Sequence, residues 1–215
     1  KSVHNDPAYS VVFNEMKQEL DSARKKYRVH SAIIGEPREG EWWMKRHQSM
    51  NKNAKKPHDL LFIGDSITQG WEGSGKGTWE KYYANRKALN LGISGDRTEH
   101  VIWRLDNGNL RNQKKAKAAV VMIGTNNTGH IMQDPTEVRD GVERIVSTLR
   151  ARCPQAKILL LGVFPRGVKP DDAKRKNNIE INKLISKFHN GERIHYLDIS
   201  DRFLTAEGIL TKEVM

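Results

Sequence analysis

Three short polar motifs in the chain contain the residue types that acyl transfer needs. Ser66 lies in the first motif, Gly95 in the second and Asn126 in the third, and each motif follows an apolar run. A serine hydroxyl can attack a carbonyl carbon while its own backbone N–H faces the oxygen that becomes negative. A glycine lets its N–H approach that oxygen closely, and an asparagine amide is a further donor. The pattern predicts a nucleophile and three converging donors.

Each motif alone has an ordinary structural explanation. Gly-Asp-Ser forms plain turns, an Asp or Asn after a strand often caps the next helix, and Gly-Thr-Asn-Asn is a common type of loop. The three together, in this order and each after an apolar run, are much more specific.

The elements that must position these motifs follow from the hydrophobic pattern after residue 59. Short apolar runs alternate with segments of helical period, which predicts a parallel sheet covered on both faces, a three-layer α/β fold. In such folds the site forms at the carboxyl ends of the strands. The predicted strands are Leu60–Ile63, Ala88–Leu91, Ala118–Ile123, Ile158–Leu161 and Ile194–Leu197, and the predicted helices lie near Thr78–Arg86, Thr98–Leu105, Pro135–Arg152 and Asp171–His189.

The motifs resemble the conserved blocks of the GDSL or SGNH hydrolases, in the branch that contains the platelet-activating-factor acetylhydrolase catalytic subunits. The resemblance covers about residues 59–215 and includes Gly64-Asp65-Ser66, Asn90–Thr98, His100–Leu105, Gly124–Asn127 and Leu161–Gly167. It implies a flavodoxin-like sheet and the hydrolysis of esters without metal or cofactor, often the removal of acetyl groups from lipids or carbohydrates. It assigns Ser66 as the nucleophile, and Gly95 and Asn126 to the oxyanion hole. The resembled subunits dimerise, so a homodimer is one expectation.

The sequence departs from that family at the general base. Family members place an Asp-x-x-His motif near the C-terminus, with the His as base, but no such motif follows Ser66. The segment from Asp201 to Met215 resembles the sequence that leads into the motif. We therefore expect the catalytic loop and the last helix of the fold to be absent from residues 59–215.

Other histidines are weak substitutes for that base. His195 and Asp198 form a His-x-x-Asp pattern, but His195 lies inside an apolar run, so a structural strand position is favoured. His100 and His130 follow the oxyanion loops and could line the cleft. We expect neither to act as the base.

The first 58 residues are predicted to be a helix and a linker. Residues 7–29 have helical spacing with Asp6 as N-cap, and residues 28–56 are polar and irregular, which favours a linker across the next domain. The stretch from Asn5 to Val29 weakly resembles the C-terminal tail of sulfatases, which would place a sulfatase-like module upstream; an incidental amphipathic helix explains the same residues.

Composition excludes several classes of protein. The net charge of +11 is spread along the chain, and its basic runs lack interleaved aromatic residues, which argues against nucleic acid as a partner. No run is long enough for a membrane span, and no signal peptide pattern opens the sequence. We expect a soluble protein; since the sequence begins at Lys1 without Met, secretion or a periplasmic location with a removed leader stays open. The single Cys153 excludes an internal disulfide and favours a buried structural thiol.

Residues 70–76 have the glycine and lysine spacing of a P-loop, but Gly77 replaces the required Ser or Thr. A nucleotide-binding P-loop is therefore not expected.

Taken together, the three motifs and the family resemblance predict a serine esterase for short acyl groups, acetyl above all, on a small-molecule or carbohydrate substrate. Two alternatives stay open: a lipid acetylhydrolase, and a binding or scaffold domain that has lost its base. Trp71 and Trp79 could stack on a sugar ring, although core packing explains them equally well.

Overall fold

A five-stranded parallel sheet is the centre of the computed structural model, which describes residues 7–26 and 29–211. The strand order is β2-β1-β3-β4-β5. The predicted strands and the predicted parallel α/β fold are confirmed, and no strand boundary differs from the predicted one by more than one residue. The strands are β1 (Leu60–Gly64), β2 (Ala88–Gly92), β3 (Ala118–Met122), β4 (Lys157–Leu161) and β5 (Ile194–Leu197).

Helices flank the sheet. They are α1 (Pro7–Lys26), α2 (Glu41–Asn53), α3 (Ser66–Gln69), α4 (Lys76–Tyr82), α5 (Thr98–Arg104), α6 (Thr125–Ile131), α7 (Pro135–Arg152) and α8 (Ala173–Ile185). The four helices predicted after residue 59 are present as α4, α5, α7 and α8, with ends that differ by up to four residues, while the short helices α3 and α6 were not predicted. Helix α7 packs against α5 and α8 and covers one sheet face, whose strand residues from Leu61 to Ile194 are buried. None of the described helices is long and apolar enough to cross a membrane.

The second sheet face is covered less evenly. Above β1 it carries Phe62, which packs edge-on against Trp71, Trp79 and Tyr83 with ring centroids 5.0 to 6.2 Å away. The two tryptophans are therefore half-buried members of this aromatic cluster. Above β5, Leu197 is 46% exposed. The expected final loop and helix concern sequence outside the described residues, so that expectation stays a prediction.

The stretch expected to be an irregular linker contains helix α2, which corrects the prediction for residues 41–53. Its residues Trp43, His47 and Met50 are buried, at the spacing of one helix face. The ring of Trp43 stacks on His47 with centroids 5.8 Å apart and tilts against Trp103 of α5. The polar composition of the stretch hid this spacing. Helix α2 is thus part of the core that supports the site, while the domain boundary at residue 58 stays a prediction.

Helix α1 is described from Pro7, the predicted start, to Lys26; residues 27 and 28 lie outside the described residues, and Val29, the predicted end, is not helical. The proposed N-cap Asp6 lies outside the described residues. The described side chains of α1 are exposed, among them Tyr9, Phe13 and Met16. Cys153 directly follows α7 and is buried, and burial raises the pKa of its thiol to about 11. That environment fits the predicted structural thiol.

A buried arginine joins the carboxyl ends of β1 and β2 to the loop that follows β2. Arg104 has no exposed surface, and its Nε lies 2.7 Å from Oδ2 of Asp96, which is buried too. The same guanidinium donates to the carbonyls of Gly64 at 3.1 Å and Leu91 at 2.9 Å, and to Oδ1 of Asn109 at 2.8 Å. One side chain therefore sets the distance between two strand ends and the loop of Gly95.

Replacing this arginine should destabilise the fold strongly. In Arg104→Met the carboxylate of Asp96 stays buried without its counter-ion, so we expect the free energy of unfolding to fall by about 3–5 kcal/mol. Urea denaturation followed by circular dichroism measures the change.

Arg152→Met is the matched control. Arg152 also pairs with a carboxylate, Oδ1 of Asp106 at 2.7 Å, but the two side chains are 45% and 36% exposed. Exposed ion pairs contribute at most about 1 kcal/mol to stability, so the free energy of unfolding of Arg152→Met should stay close to that of the wild type. If the free energy of unfolding of Arg104→Met fell by as little as that of Arg152→Met, the buried ion pair would not be what holds the strand ends.

Candidate active site

The three predicted motifs meet at the carboxyl edge of the sheet. Ser66 is the first residue of α3 and its side chain is exposed, while Asp65 caps the helix by accepting the N–H of Ile67 at 3.0 Å. Asn126 lies in the first turn of α6, and its Nδ2 donates to the carbonyl of Asp96 at 3.0 Å and approaches Oδ2 of Asp65 at 3.4 Å. The Asn126 amide thus bonds to residues directly beside Ser66 and Gly95.

Close packing of α3 on the end of β2 fixes the position of Ser66. A Cβ at Gly92 would overlap the backbone of Thr68 and Gln69, so only glycine allows this approach. Asn90 donates to the carbonyl of Thr68 at 3.0 Å, and Oε1 of Gln69 accepts the N–H of Ser94 at 2.8 Å. These contacts tie the helix of the nucleophile candidate to the loop that contains Gly95.

Two backbone donors at this edge have no acceptor. Within residues 7–26 and 29–211, neither the N–H of Ser66 nor the N–H of Gly95 makes a hydrogen bond. Gly95 has φ +76°, a conformation that side chains disfavour, which explains a glycine at this position. Unpaired N–H groups at a surface cleft are the donors that an oxyanion hole requires.

The Asn126 amide is more constrained than the sequence alone indicates. One of its N–H groups is taken by the Asp96 carbonyl. The second has only the long contact of 3.4 Å to Asp65. It is therefore the one N–H that this side chain can turn toward a bound oxyanion.

The described histidines are poorly placed to take a proton from Ser66, because none of them hydrogen-bonds to it. Nδ1 of His100 accepts the N–H of Arg97 at 2.9 Å, and burial, followed by nearby arginine charges, lowers the pKa of His100 to about 3. Burial and three arginines also lower the pKa of His130. His195 lies in β5, and its ring packs against His189 at 5.9 Å. His100 and His130 are thus held neutral.

Asp198, the possible partner of His195, is used elsewhere. Its Oδ2 accepts hydrogen bonds from Nδ2 of Asn182 at 3.2 Å and from the hydroxyl of Tyr196 at 3.3 Å. Its Oδ1 accepts the N–H of Ser200 at 2.9 Å. Asp198 therefore organises the turn after β5.

Asp65 is the most perturbed carboxyl group at the site. The pKa of this carboxyl group is raised from 3.8 to about 7, mainly by burial and also by the charge of Asp96, while the hydrogen bond from Ile67 and the charge of Arg166 oppose the increase. Near neutral pH its protonation can change, directly beside the nucleophile candidate.

Three arginines that sequence reasoning assigned no role surround the cleft: Arg38, Arg97 and Arg166. Nη1 of Arg38 donates to the carbonyl of Ser94 at 2.7 Å, and Nη1 of Arg166 donates to the carbonyl of Thr125 at 3.1 Å. The position of Arg166 in the loop after β4 could have indicated a role, because the loops at the carboxyl ends of parallel strands form the site. Nothing in the sequence marks Arg38, which comes from the stretch taken for a linker.

A group of three residues beside the cleft has the spacing of metal ligands. Side-chain atoms of Glu36, Glu99 and His100 lie within 4.8 Å of one another. Glu99, however, already pairs with Nε of Arg97, and Nδ1 of His100 already accepts a hydrogen bond. These bonds explain the cluster without an ion.

The fold and the site together define a hydrolase of the SGNH class, and comparisons with known proteins agree. Residues 62–213 match the GDSL-like Lipase/Acylhydrolase family, to which the chain belongs. It is 39% identical over 171 residues to platelet-activating factor acetylhydrolase IB subunit alpha2 of Rattus norvegicus, covering 79% of this chain and 72% of the relative. It is 35% identical over 178 residues to subunit alpha1 of Homo sapiens, covering 82% and 74%.

A solved structure has the same fold. A carbohydrate acetylesterase from Sinorhizobium meliloti superposes with a TM-score of 0.55 at 17% identity, over 71% of this chain and 88% of that one. The family assignment makes the protein a carboxylic ester hydrolase of α/β fold.

The titration of Asp65 gives a test of the site's electrostatics. A raised pKa means that the folded state binds the proton more tightly than the unfolded state, so this group stabilises the fold at low pH. That contribution is lost as the pH rises from about 4 to about 7. Asp65→Asn keeps the oxygen that caps α3 but cannot ionise. Relative to the wild type, its free energy of unfolding should therefore increase over this interval by roughly 3–4 kcal/mol.

Asp134→Asn is the control, because Asp134 caps α7 in the same manner and the bond from Thr136 lowers its pKa. The difference in free energy of unfolding between Asp134→Asn and the wild type should change in the opposite sense. The wild type should become more stable relative to this variant as the pH rises. Chemical denaturation at several pH values measures both variants. A pH-independent difference for Asp65→Asn would contradict the assigned titration.

Proposed function

We propose that Ser66 is the nucleophile of ester hydrolysis and that the backbone N–H groups of Ser66 and Gly95, with Asn126, form the oxyanion hole. Oγ of Ser66 attacks the ester carbonyl and forms a tetrahedral intermediate, whose negative oxygen accepts bonds from these donors. The intermediate collapses to an acyl-enzyme as the bond between the carbonyl carbon and the alcohol oxygen breaks, and the protonated base gives the proton taken from Ser66 to the leaving alcohol. Water then attacks the acyl group and frees the acid. The observation that supports this assignment most is the pair of unpartnered N–H groups beside an exposed serine.

The proton of Ser66 requires a base, and we propose a histidine outside the described residues. The support is the state of the histidines that are described. His100 is buried and already accepts a hydrogen bond, and burial together with arginine charges lowers the pKa of His130. A base must gain a positive charge during attack, which these surroundings disfavour.

The proposed substrate is a short acyl ester, in the first place an acetyl ester, on a carbohydrate. The names of the relatives and of the solved structure share acetyl ester chemistry. The residues around Ser66 favour a polar alcohol part, because Arg38, Arg97 and Arg166 border the cleft.

A lipid acetyl ester is the second candidate. Ile67, next to Ser66, is 43% exposed, and Ile131 and Met132 at the end of α6 are 48% and 46% exposed. Such side chains offer apolar contacts to an alkyl chain. The curated relatives named above are platelet-activating factor acetylhydrolase subunits.

Removing the nucleophile should abolish hydrolysis. Ser66→Ala should lower kcat/KM for p-nitrophenyl acetate by about 1,000-fold or more, because the covalent intermediate cannot form. The wild type should prefer acetyl over octanoyl p-nitrophenyl esters. Initial rates measured by absorbance give both numbers.

Ser94→Ala serves as control, since Ser94 is exposed in the neighbouring loop and the bond to Gln69 uses its backbone N–H. This variant should retain turnover within about threefold, as surface substitutions have small effects. Equal turnover in Ser66→Ala and wild type would refute the nucleophile. A preference for octanoyl esters would favour the lipid candidate.

A further inference from the structure

Two arginines lie against the loops of the oxyanion hole with most of their hydrogen-bonding capacity unused. Arg38 uses Nη1 to bond the carbonyl of Ser94, and its guanidinium stacks on Trp42 at 5.4 Å. Arg166 uses Nη1 to bond the carbonyl and, at 3.4 Å, the hydroxyl of Thr125. A guanidinium has five N–H donors, so Nε and Nη2 of both arginines are available.

Neither arginine has a carboxylate partner among residues 7–26 and 29–211, although both side chains are half-buried. Arg97, at the same cleft, differs, since it pairs with Glu99 and lies 4.0 Å from Glu36. Both guanidiniums therefore keep N–H donors that an anion at these loops could use.

Glycines leave the space that both guanidiniums occupy. A Cβ at Gly95 would lie 2.5 Å from Nη1 of Arg38, and a Cβ at Gly129 would overlap the guanidinium of Arg166. Gly129 lies inside helix α6, where glycine is less favourable than alanine by about 1 kcal/mol. The close approach of Arg166 to α6 explains why a glycine occupies position 129.

The two charges share one group at the cleft, His130, and each also acts on a carboxyl group there. Both Arg38 and Arg166 help to lower the pKa of His130. Arg166 also lowers the pKa of Asp65, and Arg38 that of Asp96. Asp65 and Asp96 are the residues that immediately adjoin Ser66 and Gly95, so positive potential from two separate loops reaches the reacting atoms.

We propose that Arg38 and Arg166 bind an anionic substituent, a sulfate, carboxylate or phosphate, on the alcohol part of the ester that Ser66 cleaves. The inference rests on the proposed nucleophile and adds the substrate class. The free Nε and Nη2 groups offer the forked geometry that suits oxyanions. The anion would orient the ester over the cleft and favour charged substrates over neutral ones.

Matched substrate pairs test the proposal. One pair is an acetylated methyl glucoside with and without a 6-sulfate, and the other is an acetylated monoalkylglycerol with and without a phosphate. We expect the wild type to prefer the anionic member of at least one pair in kcat/KM. Arg38→Gln and Arg166→Gln should each reduce this anionic-to-neutral ratio by about tenfold, mainly through KM.

Arg193→Gln is the matched control. Nη1 of Arg193 also donates to one backbone carbonyl, that of Gln155 at 3.1 Å, but the residue lies at the amino end of β5, the opposite edge of the sheet. The anionic-to-neutral ratio of kcat/KM in Arg193→Gln should stay within about twofold of the wild-type ratio.

If an arginine variant fails to fold, inhibition of the wild type by inorganic sulfate replaces it. Sulfate should inhibit hydrolysis of the anionic substrate competitively and more strongly than chloride at equal ionic strength. Preference confined to the sugar pair or to the lipid pair supports the site and assigns its source. Equal rates within both pairs, an equal loss in Arg193→Gln, or no specific sulfate inhibition would overturn the proposal. Hydrolysis of the uncharged ester p-nitrophenyl acetate tests the proposed nucleophile separately, because it does not require an anion site. The proposed function fails only if Ser66→Ala retains turnover of this ester.

Discussion

The buried ion pair between Arg104 and Asp96 is the interaction on which the catalytic edge depends. Asp96 also accepts Nε1 of Trp43 at 2.7 Å, so helix α2 is joined to the same carboxylate. Each buried charge would be unfavourable alone, and their mutual contact together with bonds to the strand ends compensates for that. The carbonyl of Asp96 in turn accepts the amide of Asn126. The loops after β1, β2 and β3 are thereby held by one continuous set of polar contacts.

This arrangement explains why the oxyanion donors can remain unpaired. The N–H groups of Ser66 and Gly95 stay free because the polar atoms around them are already satisfied by Arg104, Gln69 and the cap of α3. Rigid supports of this kind orient donors before substrate binds, which is the basis of electrostatic catalysis. Asp65, with its pKa raised to about 7, is the group through which pH can disturb that order.

The sequence was sufficient for the strands, for the parallel sheet and for the meeting of Ser66, Gly95 and Asn126 at one edge, because continuous apolar runs and the ends of parallel strands determine these. It was insufficient for α2, where a buried face made of Trp43 and His47 is hidden among polar residues. Arg104 was missed for a related reason. An arginine within an apolar helix can be exposed or fully buried, and only its partners in three dimensions decide which.

Covalent labelling of the nucleophile is the most direct test of this account. The protein is incubated with a fluorophosphonate, and intact mass and peptide mapping locate the adduct. We predict one adduct per chain on Ser66, formed because its hydroxyl and the free N–H groups bind the phosphonyl oxygen as they would a tetrahedral intermediate. The adduct should be lost in Ser66→Ala. Labelling of another residue, or equal labelling of the variant, would contradict the assignment of Ser66 as nucleophile.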